Sequence, residues 1–538
     1  TLRVLTSVAL SKLLKLCALK DTANNTVSLY KESASNETDF FISLYYLISK
    51  IDKTKSNPCM PLSGCFLYFR VMKISNMRTH NKSSQSAVRM DMLHGSLLNK
   101  ILLFSLPLAA SSILQQLFNS VDIAVVGRFA SDQALAAVGS NSSVISLMIN
   151  LFVGISVGAN VVIANYIGQK DERGIKNAIH TVSVIALASG FLLLVVGLLI
   201  ARPILEAMDT PDDVIDLAVL YLRIYFLGMP FFMVYNFGAS ILRSMGDTKR
   251  PLYCLVAAGI INTVLNLLLV IVFQMSVAGV AIGTVVANMF SAGVIIYILR
   301  HEKGPFKLDI KHLQITRPEL RKVLQIGVPA GIQGMVFSIA NIFIQSAVNR
   351  FGSAAIAGSA AALTYEYYCY FVVSAFSQAA VTFISQNYGA GQLDRCKRIF
   401  RLTMLLSVAC CGLLNVLFVW QKHFAISFFT SSPEVFHYAA LRMNIVLLTQ
   451  CIACSYEIAG AALRGLGYSM LPAILTVFGT CVLRLLWIYL VCPLLPGFDA
   501  LMVIYPISWI VTGVAVLVAY HVVQKKLFRP TSLTPILQ

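Results

Sequence analysis

An apolar stretch from Ile101 to Phe129 carries one acid, Asp122, and returns in recognisable form later in the chain. Nothing charged stands between Lys100 and Asp122, and the run is long enough to cross a hydrocarbon core of ~30 Å at ~1.5 Å per residue. Pro107, Asn119, Arg128 and Phe129 recur 222 positions on as Pro329, Asn341, Arg350 and Phe351, whereas Asp122 is replaced by Ile344. A chain organised around such a doubled helix is restricted to a membrane bundle with internal symmetry. A carboxylate inside it is costly and so needs a reason.

Composition agrees. Of 538 residues, 57% are hydrophobic and 12% charged, the range of all-α polytopic membrane proteins. Lys and Arg exceed Asp and Glu by 42 to 24, which in such a protein reports cytoplasmic loops and anionic lipid headgroups rather than nucleic acid. The twelve Cys are scattered, several inside apolar runs, where Cys behaves as a small hydrophobe. Cys451-x-x-Cys454 has redox spacing but lies in a predicted span. The dipeptide Gly-Lys never occurs, so no phosphate loop is possible, and no His-Glu-x-x-His is present. The one Asp-Asp pair, Asp212-Asp213, follows Pro211 at a helix start, where it complements the dipole. These absences predict a protein that is not an enzyme, has no cofactor and draws on an ion gradient or its substrate's own gradient.

Apolar segments fall at 101–127, 136–166, 177–201, 214–242, 251–273 and 276–299, then 323–349, 354–388, 402–420, 434–463, 470–495 and 500–523. The uncharged stretch Pro251 to Leu299 is too long for one span and is divided near Gln274 and Ser276. The expected organisation is therefore twelve spans in two six-helix bundles, residues 90–300 and 323–529, joined by a cytoplasmic linker at 301–322, with a tail at 530–538. Residues 1–89 are polar and basic, without an apolar run long enough to span or a clear signal peptide; they read as an upstream extension, disordered or not native. Basic residues crowd the loops after spans 2, 4, 6 and 8 and are sparse on the other side, which places those loops and both termini in the cytoplasm.

The halves match beyond the opening helix. Asn165-Tyr166 recurs as Asn387-Tyr388, and Gly168-Gln169 as Gly391-Gln392. The fourth helix of each half starts with a capping residue and Pro, Thr210-Pro211 and Ser432-Pro433, and ends in Leu242-Arg243-x-x-Gly246-x4-Pro251, repeated as Leu463-Arg464-x-x-Gly467-x4-Pro472. Six spans per half put the repeat axis along the membrane normal. A site between two such bundles can open to one side and then the other.

Twelve spans as 6+6, the pattern Pro107…Phe118-Asn119-Ser120-Val121-Asp122…Gly127, the paired turns and the doubled Leu-Arg-x-x-Gly-x4-Pro together resemble the multidrug and toxic compound extrusion (MATE) family, most like its DNA-damage-inducible branch, over about Met92 to Arg529. The resemblance implies a V-shaped two-bundle fold and a cation-coupled antiporter that expels amphiphilic, often cationic compounds from a bacterium across its plasma membrane, as a functional monomer among membrane lipids. It implies that Asp122 takes up the coupling cation, H+ in preference to Na+. Independently, a carboxylate facing a partly dry cavity has its charged form disfavoured, which brings protonation within reach; the alternative is that Asp122 only satisfies a neighbouring helix.

Asn119 lies one turn before Asp122 and can share its face. Asn262 and Asn266, at i and i+4 of the fifth helix, line one face, as cavity lining or as interhelical hydrogen bonds; the family often has aspartate where this chain has Asn266. Pro107 and Pro329 are expected helix kinks. Secondary candidates in the second bundle are Glu457, Glu366 and Asn341. Glu457 resembles the acid of sodium-coupled relatives, which would put Na+ near it, but span 7 lacks their glutamate. Glu366, within Tyr365-Glu-Tyr-Tyr-Cys-Tyr, reads equally as ligand or as interfacial residue. Arg484 needs a partner, and Glu457 is one option. Arg243 and Arg464 stand at the cytoplasmic ends of their helices, where dipole and phosphate contacts suffice. Two other classes remain, a flippase for lipid-linked sugars, against which the few mid-span cations (Arg223, Arg442, Arg484) count, and a non-transporting receptor or scaffold.

Overall fold

Helix starts are set by local chemistry. The Ser131 hydroxyl accepts the Ala134 N–H over 3.2 Å, and the Asp171 carboxylate accepts the Gly174 N–H over 3.0 Å, each satisfying an amide that a helix start leaves without an intrahelical partner. The computed structural model describes residues 90–208, 210–495 and 497–527, so the expectations for residues 1–89 and 530–538 fall outside the described residues. The spans are α1 (Leu97–Phe129), α2 (Asp132–Gln169), α3 (Glu172–Glu206), α4 (Asp212–Leu227 with Met229–Ser244), α5 (Lys249–Val272) and α6 (Ser276–Arg300), then α7 (Arg317–Asn349), α8 (Ser353–Gly389), α9 (Leu393–Trp420), α10 (Pro433–Gly465), α11 (Met470–Val491) and α12 (Phe498–Leu527). Eleven are long and apolar enough to cross a membrane singly; the two pieces of α4, bent by 48° at Gly228 with Pro230 in the new first turn, make the twelfth together.

The expected break between α5 and α6 is present, and Gln274 and Ser276 take left-handed backbone there, with φ of 56° and 48°. Two boundaries differ from expectation. The last six residues of the expected linker, 317–322, are the first turns of α7, because Pro318 and Glu319 suit a helix start. Neither Thr210 nor Ser432 caps through its side chain; Pro211 itself flanks the start of α4, and Pro433 is the first residue of α10. Pro107 and Pro329 both lie inside continuous helices.

Contacts between the halves gather toward the end that carries the basic loops. There α2 and α7 meet backbone to backbone. A Cβ on Gly154 would overlap the Gly331 backbone, and one on Gly158 would overlap Val323 and Gly327. Small residues are what allow helices in lipid to approach this closely. Nearer that end, Gly168 lies on the Gln386 carbonyl and Gly389 on the Asn165 carbonyl. Hydrogen bonds stitch the same layer, Asn160 to Thr382 at 2.8 Å and Ser385 to the Val161 carbonyl at 2.7 Å. Among the described residues, the bond from Asn150 to Ser338, 2.7 Å long, is the one farthest from the basic end.

The leading segments of the two halves are exchanged at that end. Ahead of α1, the Met92 carbonyl accepts from Asn387 and Arg395 of the second half. Ahead of α7, the His312 carbonyl pairs with His180 Nδ1 at 2.9 Å, and the Thr316 N–H donates to Thr181 Oγ1 at 3.0 Å, both partners on α3.

Beyond Asn150 and Ser338 the facing helices bare polar side chains. Ser146 and Ser142 continue the contact side of α2, and Asn341 and Gln345 continue that of α7; all four are exposed, as are Gln115 and Asn119 on α1. Amides and hydroxyls in mid-helix are costly against lipid, so these stripes line a wet cleft between the halves, open away from the basic end. Replacing Gly331 by Ala drives a methyl into the Leu151 carbonyl. The variant should lose ~1–3 kcal/mol of the closed seam, read as longer distances between spin labels placed on the basic ends of α2 and α7.

Candidate ion-coupling site

Three helices of the first half supply Asp122 and its hydrogen-bond partners, and Tyr221 and Tyr225 of α4 lie near the acid. The ring of Phe118 on α1 sits on Gly259 of α5, where any Cβ would overlap it. That contact brings the next turn of α1 against Asn262 and Asn266. Asp122 is buried, 9% exposed, and its Oδ1 accepts from Asn266 Nδ2 over 2.5 Å. Turned so that its nitrogen faces the acid, the Asn262 amide donates to the same oxygen over 2.8 Å and accepts from Thr284 Oγ1 over 3.3 Å. Thr284 of α6 also stands 3.5 Å from Asp122 Oδ2 and 3.0 Å from the Val280 carbonyl. Its single hydrogen can serve one of these at a time. Gly283 leaves the space that Asn266 Oδ1 occupies, and that buried oxygen has no partner of its own.

The structure thus brings Asp122, Asn262 and Asn266 together, and the i, i+4 pair lines one face as its spacing predicts. Asn119 is not part of the group. It is exposed on the cleft wall, as is its repeat mate Asn341. Thr284 was missed, since one Thr in an apolar helix carries no signal; Gly283-Thr284 acquires meaning only once α5 is packed beside it. No Lys or Arg lies within ion-pair distance of Asp122 among the described residues.

The acids of the second half are held differently. Glu366 of α8 makes a two-pronged ion pair with Arg442 of α10, 2.6 Å from Nε to Oε1 and 3.0 Å from Nη2 to Oε2, with both side chains buried. It is therefore neither an interfacial residue nor a free ligand; its lone pairs are committed to a guanidinium. Glu457 of α10 does not pair with Arg484. Instead Arg484, 1% exposed, donates from Nε to Ser508 Oγ over 3.1 Å and lies 4.5 Å from the centre of the Tyr505 ring. The groups that bear on Glu457 are Arg464 and Tyr370, and the positive field of that guanidinium, though it is beyond ion-pair distance, opposes Na+ binding there. Among the described residues, no three His, Cys, Asp or Glu side chains gather as a metal site.

A family model described as MatE matches residues 107–268 and again residues 329–490, together more than half of the chain. The two matched stretches begin at the repeat-related Pro107 and Pro329. "Probable multidrug resistance protein YoeA" of Bacillus subtilis is 29% identical over 383 residues, 70% of this chain and 83% of its own. "FAD transporter" of Shewanella oneidensis is 23% identical over 407 residues, 73% of this chain and 87% of its own. A solved structure described as "Outward-facing conformation of a multidrug resistance MATE family transporter of the MOP superfamily" superposes with a TM-score of 0.77 at 20% identity, covering 84% of this chain and 100% of that one. At this identity the likeness speaks for the fold alone.

Removing one partner of a buried ion pair leaves a bare charge, at a cost of ~3–5 kcal/mol. Arg442→Met should therefore lower the melting temperature of the detergent-solubilised protein sharply, and the double variant Glu366→Gln/Arg442→Met should recover part of the loss. Equal melting of the single and double variants would contradict the pairing.

Proposed function

The chain belongs to the MatE family, and from that premise we propose that it is a secondary antiporter exporting small amphiphilic molecules in exchange for a cation, a proton in preference to Na+. The observation that carries this reading is the setting of Asp122, the one acid of α1, buried beside the cleft wall and held by neutral amide and hydroxyl groups alone. Relatives named for multidrug resistance and for FAD transport support organic solutes as the cargo class. The positive charge of the loops supports a sealed end on the cytoplasmic side of a bacterial cell, with both termini there. The cleft then faces outward from the plasma membrane, and the protein works as a monomer with no chemical step.

The site accommodates both protonation states. As a carboxylate, Asp122 accepts a charge-assisted bond from Asn266. Once protonated, it can donate to Thr284 Oγ1, whose own hydrogen stays on the Val280 carbonyl. The exchange of a charge-assisted bond for a neutral one is worth ~1–2 kcal/mol, and each ~1.4 kcal/mol is tenfold in an equilibrium. Protonation thus loosens the hold of α1 on α5 and α6 and biases one arrangement of the halves over the other, because a ligand shifts only states that it binds differently. The amide at Asn266, where relatives often carry a second acid, leaves a charge of one for one proton.

Asp122→Asn keeps the size and hydrogen-bonding capacity of the side chain and removes the titration. It should abolish gradient-driven efflux of a fluorescent amphiphile from proteoliposomes while leaving the amount of inserted protein unchanged. Undiminished efflux would reject the role of Asp122. Efflux that responds to an imposed Na+ gradient and ignores a proton gradient would replace H+ by Na+.

A further inference from the structure

Arg243 and Arg464 are repeat-related, 221 positions apart, each at the basic end of its helix. Their sequence position suggests contact with the helix dipole and lipid phosphate, but the structure turns both side chains the other way. The Ser244 carbonyl lies level with Gln386 of α8, which donates to it over 2.6 Å. The Arg243 guanidinium instead donates from Nη1 to Gln378 Oε1 over 3.0 Å, two turns of α8 deeper, or ~12 Å at the helical rise. Arg464 folds back over Gly460, one turn deeper on its own helix, where a Cβ would stand 3.8 Å from Nη2, and its Nη1 donates to Gln333 Oε1 over 3.2 Å. Long side chains on a helix tilt toward its N-terminus, and α4 and α10 both end at the sealed side, so the tilt aims both charges into the membrane.

The two guanidinia share one layer. Gly465, next to Arg464, rests on Val381 of α8, one turn from the Gln378 that receives Arg243. Gln333 follows Gly331, the glycine of the α2–α7 seam, and Ser338, where the seam ends, lies about one turn further along α7. The layer is therefore the floor of the cleft. Neither arginine has a carboxylate within ion-pair distance among the described residues. Each is bonded to one glutamine carbonyl, and the buried Nε of Arg243 has no acceptor at all. Glu457 offsets part of the field at Arg464; nothing comparable faces Arg243. Two cations held this deep by neutral acceptors are costly unless an anion joins them, and planar guanidinium forks suit carboxylate and phosphate oxygens.

We propose that Arg243 and Arg464 form an anion-recognising floor of the cleft, and that the transported amphiphile carries a carboxylate or phosphate group bound there. This rests on the transport reading above and narrows its cargo. The test uses the full chain in detergent and in proteoliposomes, with four fluorescent probes: carboxyfluorescein for carboxylate, flavin mononucleotide for phosphate, riboflavin as its neutral counterpart and rhodamine 6G as a cation. Flavin mononucleotide should bind at least tenfold tighter than riboflavin, or carboxyfluorescein tighter than rhodamine 6G, and whichever pair separates identifies the anionic group. In Arg243→Gln and Arg464→Gln the preference should fall toward unity, and Arg243→Lys should retain part of it. The wild-type comparison is decisive even if a variant fails to fold. Rhodamine 6G moving under a gradient while neither anion binds would overturn the anionic floor and leave the antiporter reading standing. No movement or binding of any probe would overturn both.

Discussion

Lipid gives two helices no hydrophobic reason to prefer each other over acyl chains, so association inside a bilayer rests on close van der Waals contact and on hydrogen bonds that lipid cannot supply. The meeting of α2 and α7 through Gly154, Gly158, Gly327 and Gly331 is the place where this protein obtains the first. With no side chains between them the backbones come close enough for Asn150 to reach Ser338, and for Asn160, on the neighbouring side of α2, to reach Thr382. Everything that distinguishes the two ends of the molecule follows from where these glycines stop. Gly334 is the last of them on α7; beyond Ser338 the same side carries Asn341 and Gln345, which need water.

A glycine seam alone could slide or part easily, and the exchanged leading segments explain why the halves stay in register. The segment before α1 is held by Asn387 and Arg395 of the second half, and the segment before α7 by His180 and Thr181 of the first. Rotation of one half against the other must break both sets together, which favours two discrete arrangements over a continuum. Asp122 is suited to bias such a choice, because α1 is at once the carrier of the acid and the helix whose leading segment crosses to the other half.

The sequence made the number of spans, the doubling and the shared face of Asn262 and Asn266 legible, because each depends on period or spacing along the chain. What it hid depends on contacts between distant helices. Glu366 and Arg442 are 76 residues apart and form one ion pair, yet nothing in either local pattern names the other. Arg484 had Glu457 as its expected option, but it meets a hydroxyl and an aromatic face instead. Thr284 is an ordinary residue until Gly283 lets Asn266 in beside it. Arg243 and Arg464 were misread for a different reason: their place at a helix end suggested lipid phosphate, whereas the tilt of helical side chains toward the N-terminus carries both inward.

The doubling also shows how the surroundings of Asp122 differ from the equivalent place in the other half. Asp122 is matched by Ile344, and Arg484 stands 222 positions after Asn262, the same interval that separates the two copies of the first helix. Where the first half gathers a carboxylate and amides, the corresponding depth of the second holds an apolar side chain and a fixed positive charge packed on Tyr505. A cation entering the second half would meet Arg484 and an Arg442 already paired with Glu366, while the other mid-span acid, Glu457, lies in the field of Arg464. Duplication supplied two equivalent frames, and substitution of a few buried polar residues made them electrostatic opposites. Two equal cation sites would let the halves titrate independently. On the proposed antiporter reading, a single acid on α1 opposite a positively charged partner half means that one proton taken up or lost would change the charge balance across the seam once per cycle, which is what coupling one event at the site to one rearrangement of the whole requires.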